Sequence, residues 1–211
     1  MKFRLFYEGS FKASSGEPRD GQIDKRAPHK HALRRAFHYQ LRDLWHERRF
    51  LREVTTDGTI LGLERSEPKL LRDKLADASP VINGYRFVPL VHEKLDLMCS
   101  LHVLIMRRDR PGDRPGRIFN ARDIDNRLKT LFDALKMPTA PELGAELPID
   151  DDNPMFVLLQ KDELISHVSV ETDDLLASPP SAGRDDSYAR LLIDVSIQPY
   201  DVNMFNLSFA G

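Results

Sequence analysis

The sequence predicts a mixed α/β (α+β) fold, with a mixed β-sheet of about five strands packed against two main helices. Apolar and polar residues alternate near both ends of the chain, apolar residues recur at helical spacing in two longer segments, and turn-forming residues separate these segments. The chain has 211 residues, of which 41% are hydrophobic and 30% are charged. These values are typical of a single folded domain and argue against a disordered chain.

The first half of the chain contains one clear strand pattern and one clear helix pattern. Apolar residues at positions 3, 5 and 7 alternate with charged residues at positions 2, 4 and 8, which predicts a strand, and the Gly, Ser, Pro and charged residues over 9–28 predict a loop. A helix is expected from Pro28 to about Glu53, because proline is favoured in the first helical turn. Its apolar stripe consists of Leu33, Phe37, Leu41, Leu44 and Trp45. Residues 54–94 predict a short helix near Pro68–Asp77 and an Asn83-Gly84 turn.

The second half carries the strongest strand patterns. Residues 95–106 are apolar on one face and partly apolar on the other, which is typical of a central strand. After a loop rich in Arg, Pro and Gly, a helix is expected from about Asp123 to Lys136, because Pro138 ends it. The acidic loop 137–154 follows. The remaining predicted strands are Met155–Lys161, Leu164–Glu171 and a last strand around Leu191–Ile197, with residues 173–188 as a flexible insertion.

Composition excludes several classes of protein. The apolar run Leu97–Met106 is far shorter than the ~20 residues that a membrane helix needs. Lys2 and Arg4 bring charge too early for a signal peptide, and the single cysteine, Cys99, rules out a disulfide within the chain. We therefore expect a cytoplasmic protein that does not enter a membrane.

The net charge of −2 conceals a segregation of charge along the chain. Residues 1–52 hold 13 Lys and Arg against 6 Asp and Glu, and residues 107–122 hold 6 Arg against 2 Asp. Residues 140–176 hold 10 Asp and Glu against a single Lys. Two interpretations remain open: a basic region for phosphates beside an acidic region for cations, or solvated surfaces that happen to segregate.

The segment 123–135 brings polar side chains together at one end of a predicted helix. Asp125 and Lys129 are four residues apart and so lie side by side, and Asp123 falls at or just before the helix start, where it can act as a cap. A second carboxylate cluster, Asp150 to Asp152, follows. If the clusters converge, they form an oxygen-ligand site suited to Mg²⁺, which promotes phosphodiester cleavage. The alternative is a cap, a surface ion pair and a solvated loop.

The string Asp123-x-Asp125-Asn126-x-x-Lys129 continues into Phe132-Asp133-Ala134-Leu135 and is followed by an Asp-Asp motif. It resembles the RusA-like Holliday junction resolvases, which are Mg²⁺-dependent, homodimeric DNA endonucleases of mixed α/β fold. The order of strands, helices and basic loops also resembles this family, over about 1–50 and 95–200. The resemblance implies one domain over 1–211, with insertions at about 54–94 and 173–188.

The resemblance also implies roles for individual residues. Asp123 and Asp125 would bind Mg²⁺, with Mn²⁺ as a substitute, Lys129 would be the catalytic lysine near the phosphate, and Asn126 would support the geometry. The family's D-D-x-Q pattern matches Asp151 as the third carboxylate, and a slip of one residue matches Asp152. Asn153-Pro154 replaces the usual Gln and hydrophobic residue of that pattern.

The implied substrate is branched DNA such as a four-way junction. Such a junction has near two-fold symmetry and needs two cuts, which a C2 homodimer supplies. A set of basic side chains is expected either to contact DNA phosphates or to serve only as surface charges. These residues are Lys30, Arg34, Arg35, Arg114, Arg117 and Arg122. The alternative function is a catalytically inactive protein of the same fold that binds branched DNA or takes part in an assembly.

Overall fold

A computed structural model of the chain describes residues 1–14, 24–52, 54–55, 69–107, 121–144, 153–176, 187–203 and 206–210, with the backbone alone for 54–55 and 121–123. Its strands are β1 (Lys2–Ser10), β2 (Val54–Thr55), β3 (Lys69–Leu70), β4 (Phe87–Val91), β5 (Leu97–Arg107), β6 (Met155–Leu159), β7 (Ile165–Asp174) and β8 (Tyr188–Pro199). Its α-helices are α1 (Ala27–Glu47), α2 (Arg49–Arg52), α3 (Leu71–Ala78), α4 (Ala121–Leu135) and α5 (Ala140–Leu143). The α+β class predicted from the sequence is confirmed.

The main sheet has four strands in the order β1-β8-β5-β7. The β1–β8 and β5–β8 pairs are antiparallel, whereas β5 and β7 are parallel, so the sheet is mixed. Because β5 has a partner on each side, the prediction of a central strand over 95–106 is confirmed. The apolar composition of β5 is therefore that of a strand without a free edge.

One face of the main sheet forms the floor of the hydrophobic core. Leu101, Val103 and Ile193 point to this face and are at most 1% exposed. They belong to one buried cluster with Leu41 of α1 and Leu131 of α4, so both helices pack on this side. Residues at the alternate positions of the strands are half-buried or exposed, which leaves a second, largely polar face.

Part of the stretch that was expected to be an insertion belongs to the core. Strand β4 is buried along its whole length and pairs in parallel with β6, in a two-stranded sheet separate from the main one. Leu75 of α3 and Leu90 of β4 are both 0% exposed and join the main core cluster. Strand β4 is not evident from the sequence pattern, because a short strand buried on both sides lacks the alternation that identifies exposed strands.

Two predicted boundaries differ from the structure. The first long helix ends at Glu47, and the extended backbone of Arg48 separates it from α2, so it does not run unbroken to Glu53. Helix α4 begins at Ala121, which places the backbone of Asp123 in the first turn and not at the cap. The Asn83-Gly84 turn is confirmed: both residues have positive φ, and Ile82 pairs with Tyr85 across the turn.

Candidate functional site

Helix α4 has one apolar side that anchors it and one polar side that remains accessible. Leu131, Ala134 and Leu135 are at most 1% exposed, and Leu128 and Phe132 pack against the same core. Asp125 and Lys129 lie on the other side, where both side chains are 61% exposed. The amphipathic pattern of the helix therefore orients these two charges, four residues apart, toward solvent.

The predicted pairing of Asp125 and Lys129 is present. Lys129 Nζ lies 3.2 Å from Asp125 Oδ2 across one helical turn. An exposed pair of this kind contributes less than about 1 kcal/mol to stability. Its relevance to function is that it holds a carboxylate and an ammonium close together. The side chain of Asp123 lies outside the described residues.

The N-terminal half of α4 is fixed by the segment that follows β1. The backbone amide of Ser14 donates to the carbonyl of Asn126 at 2.9 Å. The guanidinium of Arg127, which is 7% exposed, donates to the carbonyl of Phe11, and its Cζ lies 5.8 Å from the centre of the Phe11 ring. These contacts hold the turn that carries Asp125 and Asn126 in a defined position relative to the sheet.

A buried ion-pair cluster joins α4 to α1 and α5. Lys30 Nζ lies 2.5 Å from Asp133 and 2.6 Å from Asp24, and Lys136 lies 3.3 Å from both Asp133 and Glu142. Burial lowers the pKa of Lys30, but hydrogen bonds and charge from Asp133 and Asp24 raise it more, so the net direction is upward. No sequence pattern predicts this cluster, because its members come from separate segments that only the fold brings into contact.

This cluster corrects two of the expected DNA contacts. Lys30 is 3% exposed and Arg34 is 0% exposed, so neither side chain reaches a DNA backbone in this conformation. Arg34 donates to the carbonyl of Asp133 at 2.6 Å, and burial lowers its pKa to about 10. The sequence predicts accessible charges at both positions, because the periodicity of α1 does not reveal that α4 and α5 cover this side of the helix.

The other expected DNA contacts have separate outcomes. Arg35 is half-buried on α1. Arg114, Arg117 and the side chain of Arg122 lie outside the described residues. Their roles remain predictions.

The acidic turn is described at its two ends. Asn83 Nδ2 donates to the carbonyl of Gly144 at 2.8 Å, and Asn153 Nδ2 donates to the carbonyl of Gly84 at 3.3 Å. The amide of Arg86 donates to Asn153 Oδ1 at 3.0 Å. The Asn83-Gly84 turn therefore holds both ends together, while the predicted ligands Asp151 and Asp152 lie outside the described residues.

The other described residues offer neither a cluster of metal ligands nor a reactive thiol. Within the described ranges, no three His, Cys, Asp or Glu side chains come close enough to hold a metal ion. Cys99 is 0% exposed, and burial raises the pKa of its thiol to about 12, so it is not a nucleophile at neutral pH. The prediction of an Mg²⁺ site depends on residues of which the structure describes Asp125 alone in full.

Comparisons with protein-family models, with curated proteins and with solved structures found no match to this chain. Among the helices that the structure describes, none has the length and apolar character needed to cross a membrane.

Proposed function

We propose that this protein is a Mg²⁺-dependent, structure-selective DNA endonuclease that hydrolyses phosphodiester bonds in Holliday junctions or related branched DNA during recombination and repair. The observation that carries the proposal is the exposed pair of Asp125 and Lys129, 3.2 Å apart on α4. Together with Asp123 and Asn126 it completes the D-x-D-N-x-x-K string by which the chain resembles the RusA-like resolvases. A mixed sheet carrying this helix agrees with the fold that the resemblance implies.

The residue types fit the proposed ion. Carboxylate oxygens are the ligands that Mg²⁺ prefers, and the carboxylate of Asp125 is 61% exposed and so accessible to an ion. Asp123, Asp125 and Asp151 would hold Mg²⁺, or Mn²⁺ in its place, with Asp152 as the alternative third ligand. The bound ion would activate water and stabilise charge on the phosphate.

The protein's own side chains would complete the reaction. Lys129 would bring its ammonium near the scissile phosphate and neutralise charge that develops there. Asn126 would support the site through its place in the first turns of α4, where its carbonyl binds the amide of Ser14. Water would then bond to phosphorus as the bond to the departing strand breaks.

We further propose that the enzyme works as a cytoplasmic homodimer. Two active sites related by a C2 axis would match the near two-fold symmetry of a four-way junction. Contacts to DNA phosphates would come from Arg35, Arg114, Arg117 and Arg122. Such contacts predict that binding weakens steeply as the salt concentration rises.

The test is cleavage of a labelled four-way junction, compared with linear and flap DNA, with and without Mg²⁺. We expect nicking of the junction that EDTA abolishes. Asp125→Asn should bind the junction as the wild type does and cut it about 100-fold more slowly, because the amide is a poorer ligand for the ion.

The matched control is Asp43→Asn, which changes an exposed aspartate on α1 outside the motif. It should cut at the wild-type rate. If Asp125→Asn cuts as fast as Asp43→Asn, the assignment of the active site is wrong.

A second candidate is a catalytically inactive protein that binds branched DNA or takes part in an assembly. One contact favours it: Glu142, in the described first part of the acidic loop, pairs with Lys136, directly after the C-terminal end of α4. Asp125 lies eleven residues earlier, roughly 16 Å along the helix axis at 1.5 Å per residue. This candidate predicts salt-sensitive junction binding with no cleavage in Mg²⁺ or Mn²⁺, so a product that EDTA abolishes would exclude it.

A further inference from the structure

The second face of the main sheet, opposite α1 and α4, contains a pocket of about 470 Å³. Four residues align across the strands in one row: Lys2, Ser196, Ser100 and His167. The next row consists of Arg4, Asp194, His102 and Ser169. Side chains from both rows line the pocket. Its volume lies in the range of small-molecule sites.

The pocket exists because small residues occupy the middle of the sheet. Ser100 and Ser196 face each other on the two central strands, β5 and β8. Longer side chains stand around them, among them Lys2 and His167 on the outer strands of the same row. The floor of the pocket therefore includes two hydroxyl groups, and its walls include ammonium, guanidinium, imidazole and carboxylate side chains.

A β-bulge lies beside this floor. The register between β5 and β7 shifts at Cys99 and Ser100, where Ser166 is the extra residue. Ser166 Oγ lies 3.2 Å from Ser100 Oγ and donates to the carbonyl of Cys99 at 3.2 Å. Bulges are frequent beside functional sites, because they re-aim side chains. Here the bulge adds a third hydroxyl next to the pocket.

The charges around the pocket favour an anion. Arg4 and Asp194 form an ion pair at 2.5 Å and largely cancel each other. His102 is bonded through Nδ1 to Ser169 Oγ at 2.7 Å, and its Nε2 lies 4.0 Å from Glu171 at the rim. Lys2 and His167 add one ammonium and one further imidazole. His102 already has Ser169 and Glu171 as neighbours, so the donors left for a ligand are the ammonium of Lys2, the imidazole of His167 and the hydroxyls of Ser100 and Ser196.

We propose that this pocket binds a phosphate group, carried either by a free phosphate or phosphomonoester or by the phosphodiester backbone of a nucleic acid. Ammonium, imidazole and hydroxyl groups are all donors to phosphate oxygens, and charge-assisted bonds to phosphate are among the stronger hydrogen bonds of proteins. The site lies on the opposite side of the sheet from Asp125 and Lys129. It is therefore separate from the proposed nuclease site and does not depend on it.

The test follows the imidazole signals of the full chain by NMR, at constant ionic strength. One arm titrates inorganic phosphate and the other a short single-stranded oligonucleotide that carries phosphodiesters alone. We expect the signals of His102 and His167 to shift saturably in at least one arm, while the signal of exposed His46 on α1 stays unchanged. Saturation by inorganic phosphate identifies a free phosphate or monoester as the ligand, and saturation by the oligonucleotide alone identifies a nucleic-acid backbone.

Two variants decide whether the pocket is responsible. Lys2→Met should weaken the affinity roughly tenfold, because it removes one charge-assisted contact. Ser100→Val, which suits a strand, should fill the floor and weaken it at least as much. Lys94→Met removes an exposed lysine elsewhere and should change nothing.

Three results would overturn the proposal. The first is a shift that does not saturate in either arm. The second is equal affinity in wild type and Lys2→Met. The third is a dimer, seen by light scattering, in which a second copy shields His102 and His167 from both probes. None of these readouts involves DNA cleavage, so failure here leaves the nuclease proposal untouched.

Discussion

The ammonium of Lys30 lies 2.5 Å from a carboxylate oxygen of Asp133, and this buried contact joins α1 to α4. The side chains are 4% and 18% exposed. Asp133 lies two turns after Asp125 on α4. The contact between Lys30 and Asp133 therefore helps to position the helix that carries the proposed active site. Lys30, which the sequence suggests as a DNA-contacting residue, thus forms an ion pair inside the protein.

Lys30→Met is expected to lower the free energy of unfolding by about 3 kcal/mol, because it leaves the carboxylate of Asp24 buried without a cation and leaves Asp133 with Lys136 alone. Urea denaturation at neutral pH measures this loss. The exposed Lys94→Met should remain within about 0.5 kcal/mol of the wild type. Equal stability of the two variants would mean that the pair does not form in solution.

Loss of the ion pair of Lys30 and Asp133 should make the protein less stable at high pH. The pKa of Lys30 is raised above its ordinary value of 10.5 in the folded protein. The unfolded chain therefore loses this proton first, so the stabilisation is complete below 10.5 and is lost as the pH rises through the folded pKa. Denaturation above that value should show a decline that is smaller in Lys30→Met.

Acid should destabilise the protein through His92. Burial lowers its pKa from 6.5 to about 4, and the residue is 1% exposed. In the unfolded chain His92 takes up a proton near pH 6.5, whereas the folded residue does so only near pH 4. The stabilisation that is present above pH 6.5 is therefore lost as the pH falls toward 4. The expected loss from this group is about 3 kcal/mol.

His92→Asn separates this effect from the titration of other groups. His92 Nδ1 accepts a hydrogen bond from the amide of Lys94 at 3.1 Å, and an asparagine oxygen can accept it instead. The variant should show a shallower decline in urea denaturation between about pH 6.5 and pH 4. An unchanged slope would show that His92 does not titrate in this window.

Leu90→Ala tests whether the stretch around β4 belongs to the core. The side chain is 0% exposed, so its truncation should lower the free energy of unfolding by about 3 kcal/mol. Val81→Ala nearby, at 63% exposure, should change it by less than about 0.5 kcal/mol. A neutral effect of Leu90→Ala would indicate a dispensable, peripheral segment.

Asn153→Ala tests whether the ends of the acidic turn matter for the proposed nuclease. The change removes the bonds to Gly84 and Arg86, so under the proposed function junction cleavage should fall about tenfold through misplacement of a ligand. Stability should fall by no more than about 1 kcal/mol, since these bonds are exposed.

The matched control is Gln160→Ala, which removes a half-buried side-chain amide whose oxygen accepts from the backbone amide of Glu93 at the other end of β6. It should leave cleavage unchanged. If both variants cleave the junction as fast as the wild type, the ends of the acidic turn are not needed for the reaction.

Local patterns predicted the elements that depend on neighbouring residues alone. Alternation identified β1, β5 and β8, and helical spacing identified α4 and the pairing of Asp125 with Lys129. These predictions succeed because a strand or helix exposes alternate or periodic sides to water whatever its partners are. The Asn83-Gly84 turn succeeds for a related reason, since few residues tolerate positive φ.

Contacts between distant segments could not be predicted in this way. Nothing near Phe87 in the chain indicates that β4 pairs with Met155 and its neighbours in β6. Nothing near Lys30 indicates that Asp133 becomes its partner. Both depend on how separate elements pack, and a local pattern contains no information on which charged side another element will cover.

By itself, the sequence determined the class of the fold, the central strand and the amphipathic helix with its two exposed charges, because each follows from how a segment meets water. The tertiary structure alone decided that Lys30 and Arg34 are internal, that β4 belongs to the core and that serines form a pocket floor on the open side of the sheet. These properties depend on how distant segments pack, because packing decides which side chains are buried. Burial in turn sets the free-energy cost of each charged group that loses contact with water.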